Sequence, residues 1–239
     1  MQDYQQNQKE VINTLEKQVK SNILTFSTVS PVTDFKNDQR ICLTSVHIPK
    51  EDLKNKIRQT LIEPLKQISP EHFYYHNDSL HMTIKNIRII NNPPHFSNQD
   101  IEKAKKVFSK VIPKHKSFKV FFYRLLLFSN NLALMGTSGE ELDNIILDLD
   151  KKLKAANIPD DKKYLNNRYF FINMTLARFS NPISEEFKKK VEEFSANINF
   201  EPYTINSVTL LTCNAVFENR NIIDTWNLNF KTPREKNYC

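Results

Sequence analysis

The sequence predicts an α+β fold built from a duplicated unit. Strand-like and helix-like apolar patterns are interspersed along its 239 residues. The strand-like segments 79–90 and 169–179 share a motif, HMTI in the first and NMTL in the second. Each motif segment is followed by a helical pattern and two further strand patterns. Chance similarity between two such units is the alternative, and the shared motif together with the shared order favours duplication.

Four elements are predicted before the first motif. Residues 5–24 form an amphipathic helix, the polar stretch STVSPVTDFKNDQ is a connector, and residues 40–49 form a strand. A second helix spans residues 53–65, which Pro64 is expected to kink or end. Apolar residues at every fourth position define the face of the first helix: Val11, Leu15, Val19 and Ile23.

The first copy of the unit begins with two extended segments, HFYYHN and SLHMTIKNIRII, separated by turn-forming residues. Ser97 and Asp100 predict a capping box at the start of a helix. SFKVFFYRLLLF and NLALMG predict a strand pair. Ser138 and Glu141 predict a second capping box and another helix.

The second copy begins at YFFINMTLARF. A helix is predicted from Ser184, with Phe187, Val191 and Phe194 facing inward. YTINSVTLLTCNAVF and IIDTWNLNF predict the last two strands. Because the copies share one element order, we expect their motif strands side by side across a cleft with pseudo-two-fold symmetry.

Composition excludes several classes of protein. The chain has only two glycines, Gly136 and Gly139, so it cannot build a phosphate-binding P-loop or a glycine-rich dinucleotide motif. No G-x-S-x-G elbow of a serine hydrolase occurs. No run of about 18 apolar residues predicts a membrane span, and the N-terminus lacks the apolar stretch of a secretory signal.

The cysteines indicate the compartment, and the net charge indicates the kind of partner. Cys42, Cys213 and Cys239 have no C-x-x-C spacing, which argues against a disulfide framework or a zinc knuckle and favours a reducing cytoplasm.

The net charge of +7 favours a polyanionic partner such as RNA, although lysine-rich solvated helices give the same total.

Residues near the first motif suggest two alternative binding roles. His72, His76 and His81 suggest a metal site, but a turn breaks their register and no Asp or Cys cluster completes a ligand shell, so we expect no metal. Tyr74 and Tyr75 offer rings for base stacking, although aromatic residues at strand spacing more often belong to a core.

The motif strands carry groups that suit a phosphate. Side chains alternate along a strand, so His81, Thr83 and Lys85 share one face, and Asn173 and Thr175 share another. These faces line either solvent or the cleft. In a cleft, the threonine hydroxyls would donate to phosphate oxygens, the ammonium would supply charge, and the imidazole would move a proton near neutral pH.

The two motifs resemble the paired H-x-(S/T)-apolar motifs of the 2H phosphoesterase superfamily, which includes 2′-5′ RNA ligases and RNA 2′,3′-cyclic phosphodiesterases. The resemblance covers residues 38–230 in element order. It implies a bilobal fold with two antiparallel sheets, outer helices and a central groove that holds one histidine from each lobe. It also implies metal-independent attack on a phosphodiester, with one histidine as base and the other as acid.

Two features of the second motif bear on this resemblance. Arg178 resembles a phosphate-binding arginine of RNA-ligase-like members, although strict alternation places it opposite Asn173 unless the strand bulges or bends. Asn173 stands where the second histidine is expected, and an amide exchanges no proton near pH 7. Losing such a partner typically costs about 10²–10⁴ in rate.

Three explanations of Asn173 remain open at this level. The protein binds its ligand with little turnover, it uses His81 with help from Lys85 or another group, or the chain is an engineered His→Asn variant.

These observations predict two regions and a function. Residues 1–37 form an N-terminal helix and connector, and residues 38–235 form the bilobal domain.

The protein is expected to act on a 2′,3′-cyclic phosphate or a 2′-5′ phosphodiester of RNA or a nucleotide, and we expect Asn173 to impair its catalysis. The alternative is a non-catalytic module that binds an RNA end or a nucleotide phosphate. We expect a cytoplasmic monomer without cofactor, metal or membrane segment. The predicted catalytic and phosphate-binding residues are His81, Thr83, Asn173, Thr175, Lys85 and Arg178.

Overall fold

Two antiparallel sheets form the centre of the computed structural model, which describes residues 2–230, and helices pack around them. The helices are α1 (Gln2–Ser21), α2 (Glu51–Ile57), α3 (Glu63–Ile68), α4 (Asn98–Val111), α5 (Glu141–Ala155) and α6 (Glu185–Ala196). The strands are β1 (Ile41–His47), β2 (Phe73–Tyr74), β3 (Met82–Asn91), β4 (Phe118–Leu127), β5 (Asn131–Ser138), β6 (Ile172–Arg178), β7 (Tyr203–Ile205), β8 (Ser207–Cys213) and β9 (Arg220–Asn227).

The two sheets exchange their motif strands. The first sheet has the order β3-β1-β8-β9, so the motif strand of the first copy lies with the last strands of the second copy. The second sheet has the order β2-β6-β5-β4-β7, so β6 of the second copy lies beside the hairpin of the first. β3 and β6 come into contact where the sheets meet. The predicted α+β fold with two antiparallel sheets is confirmed.

Helix α1 packs against β5 on a face that overlaps the predicted one, since Leu15 is buried and Val11 and Val19 are partly buried. Its buried residues are Tyr4, Gln8, Ile12 and Leu15, and Ile23 lies beyond the helix and is exposed. The prediction was wrong for Ile23 because the helix ends at Ser21, before that residue.

The predicted interruption near Pro64 takes the form of a π-helical turn. Residues Arg58–Ile62 form this turn between α2 and α3, and Pro64 lies at the start of α3. A proline in a continuous α-helix would remove one backbone bond and clash with the preceding turn. The wider turn therefore lets the helical path continue from Glu51 to Ile68.

Only one of the two predicted capping boxes forms. Ser97 and Asp100 cap α4 reciprocally. Ser138 instead lies in β5, and α5 begins after Glu140 without a side-chain cap. The Ser138 N–H donates to Gln8 at 2.8 Å, which ties this end of β5 to α1.

No helix among residues 2–230 has both the length and the apolar character that crossing a membrane requires.

Candidate active site

A cavity of about 270 Å³ opens where the two motif strands meet. Both lobes contribute to its walls, and Val11, Leu15 and Phe26 add an apolar wall from α1 and the connector after it. The cavity brings together all the residues that the sequence singled out for catalysis and phosphate binding: His81, Thr83, Lys85, Asn173, Thr175 and Arg178.

A β-bulge in β6 turns Arg178 toward this cavity. Ala133 pairs with Thr175 and Leu132 pairs with Ala177, so Leu176 has no partner on β5. A residue inserted in this way reverses the alternation of side chains beyond it. Arg178 therefore shares the face of Thr175, which strict alternation would not allow.

A second β-bulge lies at the matching position of β3. Val46 pairs with Thr83 and Ser45 pairs with Lys85, so Ile84 has no partner on β1. The expectation that Lys85 shares the face of Thr83 is therefore wrong. Asn86 takes that face instead, where it accepts a hydrogen bond from the Thr44 hydroxyl at 3.0 Å.

The ammonium group of Lys85 is paired with acidic side chains. Lys85 is 2% exposed, and its Nζ contacts the carboxylates of Asp160 and, at 3.4 Å, Asp150. The Tyr164 ring lies 5.3 Å from the same atom. Because two carboxylates compensate this charge, the contribution of Lys85 to phosphate binding stays a prediction.

His81 is held as a neutral base. Its Nδ1 lies 2.7 Å from the Ser79 carbonyl oxygen, which assigns the proton to Nδ1 and leaves the lone pair on Nε2. The ring stacks on Phe217 with centroids 4.0 Å apart. Burial lowers the pKa of His81 to about 4, with smaller contributions from the nearby charges of Arg178 and Arg220, while the bond to Ser79 opposes the shift.

The guanidinium group of Arg178 is positioned by two oxygen atoms. Its Nε–H donates to the Ala215 carbonyl at 3.0 Å and to the Tyr75 hydroxyl oxygen at 3.2 Å. The Tyr75 hydroxyl donates to the same carbonyl at 2.6 Å. Within residues 2–230 the two Nη groups have no hydrogen-bond acceptor, so they are free to donate to a ligand in the cavity.

Three further polar side chains have unused hydrogen-bonding capacity. Thr83, Asn173 and Thr175 are half-buried, and their side chains form no hydrogen bond with any other described residue. Together with Arg178 they present hydroxyl, amide and guanidinium donors. Such a set matches the oxygens of a phosphate group.

The structure adds residues that the motif pattern did not identify. Tyr75 was considered only for stacking, whereas its hydroxyl positions Arg178. Lys162 lines the cavity from the segment before β6, and burial lowers the pKa of its ammonium group to about 8. Asn86 reaches the cavity through the bulge at Ile84. A bulge leaves no reliable pattern in a sequence without glycine or proline at that point.

The histidines considered for a metal site are separated in space. His72 packs between Phe179 and Phe187, with ring centroids 4.8 and 5.7 Å away, and it does not line the cavity. His76 is largely exposed and lies 3.9 Å from Glu218. In the part of the chain that the structure describes, no group of three His, Cys, Asp or Glu side chains is arranged to hold a metal ion.

Comparisons with solved structures identify the fold. Escherichia coli LigT in its apo form matches with a TM-score of 0.54 and 13% identity over 80% of this chain and 99% of that chain. The protein TT0787 of Thermus thermophilus matches with a TM-score of 0.51 and 10% identity over 81% and 100%. A further structure, described as a phosphoesterase, matches with a TM-score of 0.52 and 14% identity over 80% and 99%.

No protein-family model and no curated protein matches the chain. At identities of this size the likeness concerns the fold. The chain therefore has the fold of LigT and the 2H phosphoesterases.

Proposed function

We propose that the protein binds the phosphate of RNA or of a nucleotide and acts slowly on a 2′,3′-cyclic phosphate or a 2′-5′ phosphodiester. The observation that carries this proposal is the convergence of His81, Thr83, Asn173, Thr175 and Arg178 on one cavity. The proposal is supported by structures of E. coli LigT, a protein of this fold, in complex with ATP and with 3′-AMP.

Binding would rest on the donors left free around the cavity. The Nη groups of Arg178 supply a positive charge and up to four N–H donors. The hydroxyls of Thr83 and Thr175 approach from the two motif strands, and the Asn173 amide adds its N–H₂ group. A phosphodiester placed among these groups would exchange water for charge-assisted hydrogen bonds.

The chemical step would begin at Nε2 of His81. Because this imidazole is neutral at pH 7, it can accept a proton from the water that attacks the phosphorus atom. Attack forms a new P–O bond and breaks the bond to the ribose 2′ or 3′ oxygen. That leaving oxygen must gain a proton, which the Asn173 amide cannot provide.

The missing proton donor explains why we expect slow turnover. Without a general acid opposite His81, the leaving oxygen takes its proton from solvent. A general acid is typically worth about 10²–10⁴ in rate. We further propose that the reaction requires no metal ion and that the protein acts as a cytoplasmic monomer.

The experiment compares the parent protein with Asn173→His and His81→Ala. Each is assayed with EDTA against a 2′,3′-cyclic nucleotide and a short 2′-5′-linked oligonucleotide, and its affinity for 3′-AMP is measured. We expect Asn173→His to gain about 10² or more in kcat/KM and His81→Ala to lose activity. Asn86→His is the matched control, because it adds an imidazole to the same cavity from the other motif strand, and we expect no gain.

Two outcomes would contradict the enzymatic proposal. If none of the proteins binds 3′-AMP or turns over either substrate, the cavity is not a phosphate site. If all bind 3′-AMP and Asn173→His still has no activity, the protein is a binding module.

A further inference from the structure

Two cysteines face each other inside the cavity. Cys42 of β1 and Cys213 of β8 are direct cross-strand partners, and their sulfur atoms lie 3.5 Å apart. Both are free thiols and both line the cavity. We propose that Cys42 and Cys213 form a reversible disulfide that displaces Arg178 and weakens phosphate binding.

The backbone already satisfies the main geometric requirement for this bond. Directly opposed residues in antiparallel strands have Cα atoms about 4.5–5.5 Å apart. Disulfides span Cα separations of about 4.4–6.8 Å. The sulfur atoms need only close from 3.5 Å to a bond length of about 2.0 Å, which side-chain rotation and a small strand shift can supply.

The two thiols have different environments, which assigns their roles. Cys42 is partly exposed to the cavity, whereas Cys213 is buried. The contact with the Cys213 side chain, assisted by the charge of Arg178 and opposed by burial, lowers the pKa of Cys42. The same contact together with burial raises the pKa of Cys213. Cys42 is therefore the attacking thiolate and Cys213 the resolving thiol.

Hydrogen peroxide is the oxidant in this scheme. The Cys42 thiolate attacks one peroxide oxygen, the O–O bond breaks, and Cys42 becomes a sulfenic acid while hydroxide leaves. The Cys213 thiol gives its proton to that hydroxide, and its sulfur attacks the Cys42 sulfur. The S–O bond breaks and its hydroxide leaves as water after gaining a proton. The two thiols lose two electrons and the peroxide is reduced, and a dithiol reverses the change.

The disulfide would act on Arg178 through a short stretch of backbone. Cys213 is the last residue of β8, and Ala215 follows two residues later. The Ala215 carbonyl accepts hydrogen bonds from both Arg178 and Tyr75. Drawing Cys213 toward Cys42 therefore shifts the oxygen that positions the guanidinium group. The weakening of phosphate binding through Arg178 rests on the proposed function, whereas formation of the disulfide does not.

Thiol mapping tests the bond itself. Cys239→Ser serves as the parent, because it removes the remaining cysteine of the chain. After treatment with hydrogen peroxide we expect loss of two thiols per chain and a linked pair of peptides that contain Cys42 and Cys213, with recovery in dithiothreitol. Cys42→Ser and Cys213→Ser in the same background should give no linked pair. Absence of that pair in the oxidised parent overturns the proposal.

Titration with 3′-AMP tests the coupling to the site. We expect the affinity of the parent to fall about tenfold on oxidation and to return on reduction, the size of change that follows from losing one charge-assisted contact. The affinity of Cys42→Ser, which lacks the attacking thiol and keeps only the buried Cys213, should be the same before and after peroxide. An unchanged affinity in an oxidised, cross-linked parent overturns the coupling. If the reduced parent binds no 3′-AMP, the proposed function and this coupling fall together, and the peptide map still decides whether the disulfide forms.

Discussion

The hydroxyl oxygen of Tyr75 lies 3.2 Å from Nε of Arg178, and both residues donate to the Ala215 carbonyl. This arrangement links the segment before the first motif to the arginine of the second motif. The buried phenol restricts the guanidinium group before any ligand arrives. Positioning of this kind reduces the side-chain entropy that is lost when a ligand binds.

The Tyr75 contact predicts a graded loss of affinity. Tyr75→Phe removes the hydroxyl that accepts from Arg178 and donates to the Ala215 carbonyl, and it should weaken 3′-AMP binding about fivefold. Arg178→Ala removes a charged donor and should weaken binding by about 10–100-fold. Isothermal titration calorimetry measures both. Tyr74→Phe is the matched control, because the Tyr74 hydroxyl bonds to the Leu65 and Ser69 carbonyls instead. Equal effects at 74 and 75 would contradict a role in positioning Arg178.

The environment of His81 predicts an unusual pH dependence. An imidazole with a pKa of about 4 stays neutral throughout the range in which a free histidine titrates, near pH 6.5. The kcat/KM of the parent protein should therefore be flat from pH 6 to 7, below the range in which Lys162 titrates, and should fall as the pH approaches about 4. A proton NMR titration, with the signal assigned by comparison with His81→Ala, checks the same value. An inflection near pH 6.5 for that signal would rule out a neutral His81 with a lowered pKa.

A buried glutamine predicts how firmly α1 is attached. The side chain of Gln8 is fully buried, accepts from the Ser138 N–H at 2.8 Å, and donates to the Ser138 hydroxyl at 3.3 Å and to the Phe170 carbonyl. Gln8→Ala leaves these groups unsatisfied and should lower the free energy of unfolding by about 1–3 kcal/mol. Urea denaturation measures the change. Gln6→Ala, at an exposed position of the same helix, should have little effect, and equal losses would refute the role of Gln8 in attaching the helix.

Gly136 predicts a steric limit in the central hairpin. A Cβ atom at this position would lie 2.7 Å from Cγ1 of Val120 and 3.1 Å from Cδ1 of Phe122, closer than packed side chains approach. Gly136→Ala should therefore lower the free energy of unfolding by about 1–3 kcal/mol. Gly139→Ala is the control, because no atom beyond the neighbouring residues in the chain lies within 4 Å of the added Cβ. Thermal unfolding measures the stability of both variants. A Gly136→Ala protein as stable as the parent would contradict the steric limit at this position.

Local patterns predicted most of the elements and the position of the candidate site. The strand segments, the helices and the Ser97 cap depend on residues close together in the chain, so alternation and capping rules find them. The pairing of HMTI with NMTL also identified His81, Thr83, Asn173 and Thr175, all of which line the cavity. The same rules misplaced Ser138, which lies in β5, because Gln8 of a distant helix bonds to it.

What the sequence alone determined is therefore the α+β class, the repeated order of elements and the polar groups of the two motif strands. The tertiary structure decided the exchange of strands between the sheets and the direction of the side chains beyond each motif. The bulges at Ile84 and Leu176 arise from pairing with β1 and β5, which lie elsewhere in the chain. They turn Lys85 toward Asp150 and Asp160 and Arg178 toward the cavity, because one unpaired residue reverses the alternation that follows it.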